Sequence, residues 1–150
     1  HRAIDAYTDH HLLIKLSKKR FEPRFRRIGG IMVDIAYDHL LALSWDKFYD
    51  EPIDLFAKRV LEDVLAFKEL PCEAENLAKM MLRKNSLERY KNEEFLSDAS
   101  LSIHKRLRNR TPMLEAPGVI KNVKGELDRD FRFFYPQLID FAAAWLQEND

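Results

Sequence analysis

The stretch Gly29-Gly-Ile-Met-Val-Asp34-Ile-Ala-Tyr-Asp38-His39-Leu-Leu-Ala-Leu sets two carboxylates four residues apart in a strongly apolar run. At about 100° per residue they share one helix face, and Ile31, Ile35, Leu41, Ala42 and Trp45 fall on that face too. A charged carboxylate buried alone is very unfavourable, so Asp34 and Asp38 are expected to need a metal ion, an arginine or a proton. His39 points about 140° away from Asp34 on an ideal helix, and alone it reads as a buried, hydrogen-bonded imidazole. A second group opens the chain, where His1, Asp5 and Asp9 recur at every fourth position along one helical stripe. Imidazole mixed with carboxylate suits Mn²⁺, Fe²⁺ or Zn²⁺, whereas carboxylates with water suit Mg²⁺.

These groups must be held by helices. Apolar residues recur at helical spacing almost throughout, and alternating strand patterns are scarce. The expected fold class is all-α, with helices over roughly 2–19, 24–49, 52–68, 72–83, 86–92, 94–109 and 119–147, the prolines supplying most boundaries. Pro52 suits a helix start, because its missing N–H would have no partner there. Pro136 lies inside the last pattern and is expected to kink or break that helix near Tyr135. With 150 residues and no Gly- or Ser-rich linker, the chain is expected to form a single domain. It starts at His1 rather than Met, and natural residues ahead of it are expected to be missing.

The composition narrows the functional classes. Apolar residues at 46% and charged residues at 33% exclude intrinsic disorder. Twenty-five basic against twenty-five acidic side chains leave no global field that would call for nucleic acid or an anionic membrane. No run of about 18 apolar residues is present to span a bilayer. The single cysteine, Cys72, excludes an internal disulfide and fits a reducing cytoplasm. There is no Gly-rich phosphate loop, no G-x-S-x-G turn and no H-E-x-x-H helix.

Charge is uneven locally. Lys15, Lys18, Lys19, Arg20, Arg24, Arg26 and Arg27 face only Glu22 in their segment, a local +6. Lys105, Arg106, Arg108 and Arg110 form a second basic run. Such a run is either a solvated face or a docking surface for an acidic partner. The aromatic block Phe131, Phe133, Phe134 and Tyr135 reads chiefly as core, with a slender-ligand pocket as the alternative.

Two motifs together resemble a known family. His1-Arg-x-Ile-Asp5-x-Tyr-Thr-Asp9, followed by Arg26-Arg27, Gly30-Ile31, Asp34, Asp38-His39-Leu40-Leu41 and Trp45, is similar to the acyl carrier protein phosphodiesterases. The Phe133-Phe-Tyr-Pro136 block resembles that family's C-terminal segment. The resemblance implies a helical fold related to the HD-type metal-dependent phosphohydrolases. It implies cleavage of 4′-phosphopantetheine from the serine of holo-acyl carrier protein with a divalent cation, expected to be Mn²⁺, with Mg²⁺ or Fe²⁺ as alternatives. The dyad here reads Asp38-His39, the reverse of the His-Asp pair that names the HD class. Family members also carry a segment ahead of the position that matches His1.

On that reading His1, Asp5, Asp34 and Asp38 hold the metal or its water. His39 orients a ligand or protonates the departing serine oxygen. The run from Lys15 to Arg27 docks the acidic carrier protein. Two rivals share these residues: an HD-like enzyme acting on a small phosphate ester, and a helical binding module in which Arg26 or Arg27 neutralises the aspartates.

Overall fold

A computed structural model describes residues 2–84 and 86–149, with the side chains of residues 84 and 86 left aside. Among the described residues every regular element is helical, in agreement with the all-α expectation. The chain divides into two compact units, residues 1–37 with 97–150, and residues 38–96. No helix among the described residues is long and apolar enough to cross a membrane.

The first unit contains α1 (Arg2–His10), α2 (Leu12–Lys19), the opening of α3 (Gly29–Leu43), most of α7 (Glu94–Arg106), α8 (Ala116–Asn122) and α9 (Lys124–Glu148). Helix α2 packs along α9, and α1 packs against both. Ile14, Phe25, Met32, Val33, Met113, Ile120, Leu127, Phe131 and Phe134 fill its interior. Filling it with bulky aromatics matters, because each buried side chain of this size contributes roughly 2–3 kcal/mol.

The expected helix 2–19 is two helices. His11 breaks the run by leaving helical geometry and capping α2, its Nδ1 accepting from the Leu13 N–H at 3.1 Å. That bond makes Nδ1 the acceptor, so Nε2 carries the proton and donates to Gln137 Oε1 at 3.0 Å. The amide of Gln137 then donates to the Phe133 carbonyl at 2.9 Å. Pro136 withholds only the donor that the Arg132 carbonyl would take, and α9 runs unbroken from Lys124 to Glu148. The expected break at Tyr135 is therefore absent.

The aromatic block divides by helical phase. Phe131 and Phe134 are buried, whereas Phe133 is exposed. Tyr37 stands edge-on to Phe131 at 5.3 Å between centroids, and Tyr7 stacks on Phe141 at 4.2 Å.

The second unit comprises the end of α3, α4 (Ile53–Leu65), α5 (Cys72–Lys84), α6 (Ser86–Arg89) and the start of α7. Helix α4 packs against α5 and α6. Ala42, Trp45 and Ile53 form a core that Leu41, Phe56, Leu87 and Tyr90 close over. Pro52 lies at the head of α4 as expected, and its carbonyl accepts from the Phe56 N–H at 3.0 Å. The expected helix 24–49 is shorter at both ends, since residues 23–25 and 45–47 form single 3₁₀ turns.

Candidate functional site

Helix α3 is buried nearly all round. Met32, Val33, Ile35, Ala36, Tyr37, His39, Leu40 and Ala42 are buried, while Asp34 and Asp38 are exposed. The expectation that the two aspartates lie on the apolar face is corrected here. When almost every position of a helix packs, no single apolar stripe exists, and the acids mark the one stripe left open to water. Asp34 and Asp38 need no buried partner.

Asp34 nevertheless sits in a charged setting of its own. Its side chain reaches solvent, but the surrounding turns strip water from behind it, and this partial desolvation raises its pKa above the usual carboxylate range. Lys18 opposes the shift, and the charges of Asp9 and Asp5 reinforce it. Asp5 and Asp9 are one turn apart on α1, and both are exposed. Helices α1, α2 and α3 thus bring the charges of Asp5, Asp9 and Lys18 within reach of Asp34. Among the described residues, no three His, Cys, Asp or Glu side chains converge closely enough to hold an ion as they stand. His1, an expected ligand, lies outside the described residues.

The chemistry of this group fits a hard divalent ion. Its donors are carboxylate oxygens open to water, the ligand type that hard divalent ions take.

Asp38 and His39 belong to the second unit. The charge of Asp38 reaches Tyr90, whose hydroxyl pKa is raised first by burial and then by that charge. His39 is 1% exposed, and its Nδ1 lies 2.5 Å from the Tyr90 carbonyl oxygen. It is the buried, hydrogen-bonded imidazole that its position alone suggested, and it does not face solvent where a serine on another protein could meet it.

The basic run splits into different jobs. Arg20 is engaged within the fold: its Nε and Nη2 donate to the two oxygens of Asp130 at 3.1 and 2.9 Å. Asp130 is 3% exposed and also accepts from Ser17 Oγ at 2.8 Å. Because the Ser17 proton is committed to Asp130, the Tyr37 hydroxyl donates to Ser17 Oγ at 2.7 Å. Arg24 is likewise engaged, pairing with Glu115 at 2.7 Å and Glu22 at 3.2 Å. Lys15, Lys19, Arg26 and Arg27 remain exposed, and among the described residues they form no ion pair. Among the described residues Arg26 and Arg27 form no ion pair with Asp34. The tetrad of buried Ser17, Tyr37 and Asp130 with the half-buried Arg20 is the feature that sequence reasoning missed. Its signal was available only as Asp130 placed one residue before the apolar Phe131.

Burial drives the Tyr37 hydroxyl up to about 12, with the charge of Asp130 adding and that of Arg20 opposing. Because this pKa is raised on folding, the neutral hydroxyl's contribution to stability is complete below pH about 10 and is lost between about 10 and 12. A phenolate titration at 295 nm is expected to show a late step that Tyr37→Phe removes. Identical curves for the two proteins would contradict the tetrad's geometry.

Comparison with known proteins adds a decisive observation. A sequence model described as acyl carrier protein phosphodiesterase matches residues 1–138. The chain belongs to that family. It is 31% identical over 150 residues to the acyl carrier protein phosphodiesterase of Photorhabdus laumondii, covering 95% of this chain and 73% of the relative. It is 29% identical over 148 residues to the protein of that name from Yersinia enterocolitica, covering 95% and 75%. The corresponding protein of Klebsiella pneumoniae strain 342 is 26% identical over 144 residues, again at 95% and 75%. No solved structure matches the chain. The match to the acyl carrier protein phosphodiesterase family spans Asp5, Asp9, Lys18 and Asp34 together.

Proposed function

We propose that the chain hydrolyses the phosphodiester between 4′-phosphopantetheine and the serine of holo-acyl carrier protein, releasing apo-acyl carrier protein in the cytoplasm. We further place it with the HD-type phosphohydrolases and assign it a divalent ion, Mn²⁺ before Mg²⁺ or Fe²⁺. The observation that carries the reading is the exposed Asp5, Asp9 and Asp34 group on the segments that match the family, beside the exposed Lys15, Lys19, Arg26 and Arg27, which form no ion pair among the described residues.

A phosphodiester is anionic and its alkoxide leaving group is poor, so bare carboxylates would repel it. In this reading Asp5, Asp9 and Asp34 would hold the ion by drawing together around it, since among the described residues they do not converge as they stand. When bound, such an ion screens phosphoryl charge and lowers the pKa of coordinated water towards about 7. The chain supplies the rest. Helices α1 and α3 fix the three carboxylates on rigid backbone. The exposed Lys15, Lys19, Arg26 and Arg27 attract the acidic carrier protein and orient its approach.

Calorimetric titration with Mn²⁺ tests the ion assignment: a one-site isotherm that Asp34→Ala weakens supports it, and an unchanged isotherm in that variant contradicts it. Docking has its own expected result. Reversing Lys15, Lys19, Arg26 and Arg27 to Glu raises KM for holo-acyl carrier protein and flattens its salt dependence. The effect falls on KM rather than on turnover at saturation. An untouched KM would place docking elsewhere. Arg20 is left out of this variant, because its reversal would break the Asp130 pair.

A further inference from the structure

Lys18 differs from every other cation in its run. Its stem lies against two consecutive glycines at the start of α3: a Cβ at Gly29 would sit 3.9 Å from the Lys18 Cβ and Cγ. A Cβ at Gly30 would sit 3.4 Å from Lys18 Cε and 3.5 Å from its Nζ. With no side chain on either glycine, the half-buried lysine runs along the α3 backbone instead of out into water. Its field reaches Asp34. Among the described residues, however, it closes no ion pair. A lysine whose task was to neutralise Asp34 would complete that pair. Lys18 is instead held near the carboxylates with its charge unspent.

We infer that Lys18 receives the phosphoryl group of the substrate, contacting a non-bridging oxygen of a phosphodiester monoanion beside Asp34. This rests on the phosphodiesterase reading and moves Lys18 from the docking face into the reaction. Three carboxylates repel an incoming phosphodiester, and an ammonium positioned next to them offsets that repulsion. As the reaction proceeds, negative charge on the phosphoryl oxygens grows, and a fixed cation there stabilises the transition state more than the ground state. Lysine serves as a point charge for phosphate without needing bidentate geometry.

The test compares Lys18→Met and Lys18→Arg with the wild-type chain on two substrates, holo-acyl carrier protein and bis(4-nitrophenyl) phosphate, with inorganic phosphate as inhibitor. Lys18→Met is expected to lower kcat on both substrates by about 10²-fold, the scale of losing one charge-stabilising donor. Inhibition by phosphate should weaken in parallel, circular dichroism and melting temperature should stay the same, and Lys18→Arg should recover part of the rate. A merely structural lysine would not separate kcat from melting temperature. If Lys18→Met matches a wild-type chain that cleaves both substrates, the assignment is overturned and the phosphodiesterase reading stands. An effect confined to KM for holo-acyl carrier protein returns Lys18 to the docking face and also overturns it. A wild-type chain that cleaves neither substrate overturns the reading and this assignment together.

Discussion

Asp34→Ala is expected to abolish hydrolysis of holo-acyl carrier protein, lowering turnover by at least about 10²-fold, while the helical fold survives. The loss follows from removing the carboxylate that the charges of Asp9 and Asp5 on α1 reach. Loss of a residue that holds or orients a metal commonly acts on this scale. The fold survives because Asp34 is exposed, and exposed substitutions away from special features usually change stability by within about 0.5 kcal/mol. Steady-state kinetics alongside thermal melting checks both halves. A folded Asp34→Ala protein with normal turnover would remove the carboxylate group from the site.

Asp130→Ala is expected to do the opposite, acting on stability first. Asp130 is buried and accepts from Ser17 and from both arms of Arg20. Truncating Asp130 strands the buried Ser17 hydroxyl and unpairs the partly exposed Arg20, which costs roughly 1–3 kcal/mol, a sizeable share of a domain's total stability. The tetrad ties α2 to α9 and to Tyr37 on α3, so its loss loosens the helices that carry Lys18 and Asp34. Urea denaturation should show the midpoint falling with little change in slope. A midpoint within experimental error of the wild type would mean that the tetrad contributes little. The same logic warns against reading an Arg20 variant as a docking mutant, since reduced activity there would follow from lost folding.

The legible part of this fold was the part written in periodicity. Helical spacing marked each long segment, and Pro52 marked the head of α4. The first boundary that failed was set by a side chain acting at a distance. His11 splits the first helix because its ring can reach both the Leu13 N–H and Gln137, which lies 126 residues away in sequence. Pro136 stays inside α9, because a long helix packed on its neighbours tolerates the loss of one ladder bond. No local rule contains the His11–Gln137 contact.

The site was legible in its residue types and misread in its setting. Asp5, Asp9 and Asp34 were visible as ligand-capable groups. Placing Asp34 on a buried face assumed that α3 has one apolar side, whereas it packs nearly all round and leaves Asp34 and Asp38 in the gap. The basic run looked uniform because net charge does not distinguish a spent cation from a free one. Only the partners of Arg20 and Arg24 separate those two from Lys15, Lys19, Arg26 and Arg27.

The central claim is a reaction, and its product can be weighed directly. Purified holo-acyl carrier protein is incubated with the chain and Mn²⁺, and the intact carrier protein is followed by mass spectrometry. The expected result is a mass falling by one whole 4′-phosphopantetheine group, leaving an unmodified serine, with free 4′-phosphopantetheine appearing in equal amount and neither change occurring with Asp34→Ala. A carrier protein whose mass stays at the holo value with Mn²⁺, Mg²⁺ or Fe²⁺ would contradict the proposed reaction.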